Sequence, residues 1–138
     1  MIFQEFELLE HLSVLDNIIL PYRITPWLEY ESSVRDRATS IAHEVGIEGK
    51  LGRNVRLLSQ GERQRVAVCR ALVTEPAILL CDEPTGNLDP ENSTCVMDTM
   101  FKYAEDHGGT LLSVTHDHEN ARRFDRTVDI TRIAGEQE

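Results

Sequence analysis

With 138 residues, 41% of them hydrophobic, the chain has the size of one domain and enough apolar material for a core. Its 14 basic residues are outnumbered by 24 acidic ones, a formal net charge of -10, and the two signs are interspersed. Nucleic acid is therefore not expected as the main partner, because binding it draws on clustered Lys and Arg. Three cysteines, Cys69, Cys81 and Cys95, lie in apolar or helical stretches without C-x-x-C spacing. They read as small buried hydrophobes of a reducing compartment. The N-terminus has no basic region followed by an apolar run, and no stretch approaches the roughly 20 apolar residues of a membrane span, so a soluble or peripheral protein is expected.

In chain order, "MIF" at 1–3 is a short strand candidate. "HLSVLDNIILPYR" (11–23) predicts a short helix, with Ser13 as its cap, Asp16 three residues on, and Pro21 as its end. "TPWLEYE" (25–31) reads as a loop. Val34, Ala38, Ile41, Ala42 and Val45 then recur at helical spacing, and Gly46 supplies a stop. A third helix runs from about Ser59 to Val73 and is broken by Pro76. "AILLC" (77–81) is a continuous apolar run, as expected of a strand buried on both faces. Asp89 and Pro90 pair a capping side chain with proline at the first helical position. Val96, Met97, Met100, Phe101 and Ala104 give that helix its apolar stripe, and Gly108 and Gly109 end it. "TLLSVTH" (110–116) is a second buried strand, followed by a short helix over 117–123 and a last strand around "RTVDITRI" (126–133). Alternating strand and helix predict an α/β layer on a parallel sheet.

The chemistry gathers at three places. "LCDEPTGNLD" (80–89) ends an apolar strand with Asp82 and Glu83, at the carboxyl edge where open α/β sheets bind ligands. One such carboxylate can hold Mg²⁺ and the next can take a proton from an attacking water. "LSQGE" (58–62) contains an S-x-x-E capping box, Ser59 and Glu62. The same helix N-terminus is suited to an anion, and Gly61 lets backbone approach a ligand closely. His116, at the end of the second strand, should emerge on the same edge as Glu83. His116, Asp117 and His118 lack further ligands at zinc-like spacing.

Taken together these motifs resemble the ATP-binding subunit of an ABC transporter. "LSQGE" is similar to the family signature, "AILLCDEP" (77–84) to its Walker B strand and "GNLD" (86–89) to its D-loop. His116 matches the switch histidine and Gln4, in "IFQEF", the Q-loop glutamine. The likeness covers nearly the whole chain and is greatest to the lipoprotein-release, macrolide-efflux and cell-division exporters. Gln60 stands where glycine is commonest, and Glu62 where glutamine is.

The resemblance implies a P-loop NTPase fold with a helical signature subdomain. It implies Glu83 as general base and His116 as a γ-phosphate contact that orders the water. Asp82 and Gln4 would serve the Mg²⁺. Ser59, Gln60, Gly61 and Glu62 would meet ATP held by a second ATPase subunit in a head-to-tail dimer, and Asp89 would communicate across it. Residues 5–54 would dock on transmembrane subunits at the cytoplasmic face of the inner membrane. The division expected is a Q-loop and helical part, 1–56, and a part with signature helix, Walker B, D-loop and H-loop, 57–138.

The phosphate loop, G-x-x-x-x-G-K-[ST], has no match in the sequence: neither of its two lysines, Lys50 and Lys102, stands in that pattern. The expectation is thus a truncated cassette, from the Q-loop onward, whose partial sheet misses the phosphate-loop strand. Such a chain is expected to be inactive alone and to hold neither Mg²⁺ nor ATP tightly. The bared sheet edge predicts self-association, a strand swap or a displaced last strand. The alternative is a short non-catalytic module that pairs with a complete ATPase subunit or with a membrane subunit.

Overall fold

The computed structural model describes residues 2, 7–86 and 88–130. Six α-helices and two strands are formed among them: α1 (Val14–Ile18), α2 (Leu20–Ile24), α3 (Ser32–Glu44), α4 (Gln60–Leu72), β1 (Ile78–Asp82), α5 (Pro90–His107), β2 (Thr110–Val114) and α6 (His118–Ala121). Short 3₁₀ turns at Glu48–Lys50 and Val55–Leu57 link α3 to α4.

Local chemistry sets most boundaries. The Ser13 hydroxyl accepts from the Asp16 N–H at 3.1 Å and caps α1 as expected. Pro21 does not end that helix. It sits in the first turn of α2, where its missing N–H costs nothing, so the chain starts a second helical segment instead. Gly46 (φ +69°) stops α3 and Gly108 (φ +60°) stops α5, both in the left-handed conformation that glycine adopts most readily.

Two apolar clusters form, and α4 serves both. Val66, Cys69 and Val73 pack with Val14, Ile18, Val34, Ala38, Ala42, Val45 and Ile47. Val68 and Leu72 pack with Leu79, Cys81, Val96, Met97, Met100 and Tyr103. Cys69 and Cys81 are buried free thiols whose burial makes ionisation harder, and Cys81 is pushed up to about 12. They behave as small hydrophobes. Cys95 is half-buried.

The strands pair in parallel, Ile78 opposite Thr110 through Asp82 opposite Val114. Ile2 bridges to β1 from the other edge, donating to Leu80 O at 2.8 Å and accepting from Asp82 N at 3.0 Å. So Ile2, within "MIF", supplies a strand-like bridge, while Met1 and Phe3 lie outside the described residues.

Burial corrects the sequence reading. Leu79 and Cys81 point into the helices, but Ile78 is 60%, Leu112 61% and Val114 55% exposed. Neither strand is buried on both faces. Uniformly apolar parallel strands need a layer on each side, and among the described residues only α4 and α5 provide one. The last strand expected around 126–133 is also absent as far as 126–129, which carry no regular structure, and 131–138 lie outside the described residues.

Candidate functional site

The carboxyl edge of β1 gathers the residues singled out for catalysis. Asp82 closes the strand and is exposed. Glu83 follows with φ +47°, a conformation rare for a side chain this large and disfavoured before proline. Its N–H donates to Val114 O at 2.9 Å, so the end of β2 fixes the backbone. The parallel register then carries the chain from Val114 to His116 beside it.

Glu83 Oε1 accepts the His116 backbone N–H at 3.0 Å and lies 2.7 Å from His116 Nδ1. Its Oε2 accepts from the Thr115 hydroxyl at 3.4 Å. An ionised carboxylate only accepts, so the ring shares a proton through Nδ1 and keeps Nε2 for another contact. The two side chains differ in access: Glu83 is 16% exposed and His116 83%. A shielded acceptor beside an open imidazole suits proton removal from a water next to an anion that approaches from solvent.

A second tier steadies this loop. Asn120 Nδ2 donates to Asp117 Oδ2 at 2.7 Å and reaches Thr85 Oγ1 at 3.5 Å. Hydrogen bonds from Asn120, chiefly from its backbone N–H, hold the Asp117 carboxyl below its usual range. From α4, the buried Gln64 Nε2 donates to Pro84 O at 2.7 Å. Sequence reasoning passed over Thr115, Asn120 and Gln64. One signal was present: Gln64, Val68 and Leu72 stand four apart, so a lone amide shares the apolar face of α4.

The signature residues lie elsewhere. Ser59 and Gln60 are exposed at the start of α4, with Gly61 half-buried. The capping box forms in full, Glu62 N–H to Ser59 Oγ at 3.3 Å and Ser59 N–H to Glu62 Oε2 at 2.9 Å. Glu62 also pairs with Lys50, the largest reason its carboxyl titrates below the usual range. Asp89 caps α5 through Asn92 N–H at 3.0 Å, and the bonds to Asn92 lower its pKa too. Among the described residues no hydrogen bond joins 59–62 directly to Glu83 or His116, and Gln64 is the link between α4 and the loop. Gln4 lies outside the described residues.

Asp82 offers the hard-oxygen ligand that Mg²⁺ prefers, and protein sites often supply only one or two such groups, with phosphate oxygens and water completing the shell. The donor set therefore fits a hydrated Mg²⁺. Nothing in the sequence fits the cradle that would hold the phosphates themselves.

The ABC transporter family profile covers residues 1–86, more than half of the sequence. The chain belongs to the ABC transporter family. It is 40% identical over 129 residues to the lipoprotein-releasing system ATP-binding protein LolD of Rickettsia typhi, covering 94% of this chain and 58% of that protein. It is 41% identical over 133 residues to the macrolide export ATP-binding/permease protein MacB of Rhodopirellula baltica, covering 92% of this chain and 19% of that one. The dimeric structure of MJ0796, a bacterial ABC transporter cassette, superposes with a TM-score of 0.79 at 35% identity, over 88% of this chain and 53% of that one. A post-hydrolysis dimer of the same cassette, bound to ADP and Pi, gives a TM-score of 0.78. The chain thus has the ABC ATPase fold and spans just over half the length of its cassette relatives. Among the described residues no helix is long and apolar enough to cross a membrane.

Proposed function

We propose that this chain is the part of an ABC transporter ATPase subunit that carries the general base, the γ-phosphate-sensing histidine and the signature face. The contact of Glu83 with His116 at the edge of a parallel strand pair carries the reading. In the complete site, Mg²⁺ would neutralise charge on the transferring phosphate. Glu83 would accept the proton of the attacking water as its oxygen bonds to the γ-phosphorus, and ADP would leave with phosphate as the second product. His116 Nε2 would contact the phosphate oxygens while Nδ1 stays on Glu83. Asp82 would hold Mg²⁺ through its hydration shell, with Gln4 beside it.

The signature face, Ser59, Gln60, Gly61 and Glu62, would serve a second ATPase subunit in a head-to-tail pair, with Asp89 at their seam. The exposure of Ser59 and Gln60 supports that role. The work driven would be transport across a membrane, through transmembrane subunits docked on residues 5–54 at the cytoplasmic face. The natural division is that helical part, 1–56, and the catalytic part, 57–138. The exposed Ser59 and Gln60 also favour a second reading, a non-catalytic module that completes a site in trans. Co-purification of tagged chain with a complete subunit, lost on Ser59→Arg, would support it, and absence of capture would reject it.

The test of the main reading supplies the missing cradle. The phosphate-loop segment of a LolD relative, fused ahead of this chain, should restore ATP hydrolysis. Glu83→Gln should then lower kcat about 100-fold or more. A fused protein whose turnover is indifferent to Glu83→Gln would sink the assignment.

A further inference from the structure

We propose that Gln64, on the signature helix, is a positioning residue for the base: it holds the loop that carries Glu83 against His116. The inference rests on the reading of Glu83 given above, but its structural content does not depend on turnover.

The side chain of Gln64 is fully buried, and its Nε2 donates to the carbonyl of Pro84 at 2.7 Å across 20 residues of sequence. The amide orientation follows from chemistry, since the reverse would set Oε1 against a carbonyl oxygen, two acceptors in contact. Its Oε1 is buried with no hydrogen-bond partner among the described residues. A leucine or methionine would fill this place on the apolar face of α4 without burying an unmatched acceptor. What the amide adds is the bond to Pro84.

That bond falls where the backbone needs help. Glu83 combines positive φ with a following proline, and residues so placed persist only when their surroundings over-determine them. Beside the Glu83 N–H bond to Val114 O, three restraints converge on the turn. The Glu83 carboxylate is tied to His116 and Thr115 on one side. Gly86 N–H closes the turn on Glu83 O at 3.2 Å. Gln64 holds Pro84, and of these restraints it is the one that comes from α4. Because Ser59 and Glu62 cap the same helix one turn earlier, a shift of the signature end would reach the base through this amide.

The test is amide hydrogen exchange on the purified chain. Gln64→Met keeps the volume and removes the donor. Exchange at His116, whose N–H rests on Glu83, and at Gly86 should speed up roughly three- to tenfold, the loss expected for one hydrogen bond. Amides of Val68 and Leu72 in α4 should keep their native rates. Unchanged exchange at His116 and Gly86 would overturn the proposal. So would a uniform loss through α4, which would make Gln64 a core residue only.

Gln64→Glu is the second variant should the methionine form not fold. It donates to Pro84 only while protonated, so loop protection relative to the native chain should fall as pH rises, and a flat ratio would overturn the proposal. Failure here with intact sensitivity to Glu83→Gln in the fused enzyme would leave the base assigned and remove only Gln64. The converse pattern would remove the base and leave the structural tie.

Discussion

At the scale of single residues, Glu62 shows how a residue of the proposed signature face also serves the fold. Its carboxylate closes the capping box on Ser59 and pairs with Lys50, so its pKa is lowered from the ordinary 4.5. A carboxyl with a depressed folded pKa stabilises the native state above its unfolded value and loses that contribution as pH falls through the folded one. Stability should therefore be level at neutral pH and decline below 4.5. Lys50→Met should make the acid-side decline shallower, because it removes the largest cause of the shift. Ser59→Ala should cost about 1 kcal/mol at neutral pH through the lost cap. Urea midpoints measured across the pH range decide both, and a Lys50→Met profile parallel to the native one would contradict the pairing. These caps were legible in the sequence because Ser59 and Glu62, or Asp89 and Pro90, are local signals whose partners sit within one helical turn. Gln64 and Asn120 were harder to read, since their partners are Pro84, 20 residues away, and Thr85, 35 residues away.

At the scale of elements, α4 and β1 explain where the sequence reading held and where it failed. The helix, its cap and its stop were set by residues next to one another. The burial of β1 was set by what lies on each side of it, and the apolar run "AILLC" says only that two covers are called for. The described residues supply one. Ile78, Leu80, Leu112 and Val114 are left on a bare apolar face, and β2 has no ladder partner on its outer edge among the described residues. Such a face with an open edge is a template for another chain. The 138-residue chain should therefore associate as its concentration rises. Leu112→Lys, on the exposed side of β2, should weaken that association while leaving the fold intact. Sedimentation velocity reads both, and a native chain that stays monomeric at the solubility limit would contradict this account of the sheet.

At the scale of the whole molecule, two parts of the proposed site lie in this sequence and the pattern of a third does not. Glu83 and His116, the proposed base and its histidine, share one strand edge, Ser59 and Glu62 cap a helix tied to that edge by Gln64, and the sequence contains no G-x-x-x-x-G-K-[ST] pattern. Positioning and electrostatics supply nearly all of phosphoryl-transfer catalysis, so on the proposed reading the chain alone is expected to show no ATP turnover. The family was legible because its motifs are short, local and ordered along the chain. The parallel pairing of β1 with β2, and with it the approach of His116 to Glu83, was legible from the alternation of strand and helix. The ties from Thr115 and Gln64 were not, because they depend on side chains meeting across 32 and 20 residues of sequence. The most direct measurement is a calorimetric titration of the purified chain with Mg-ATP. The account predicts binding no tighter than about millimolar, worth only ~4 kcal/mol. Saturable micromolar binding by the chain alone would mean that the phosphates are held without a phosphate loop, and would contradict it.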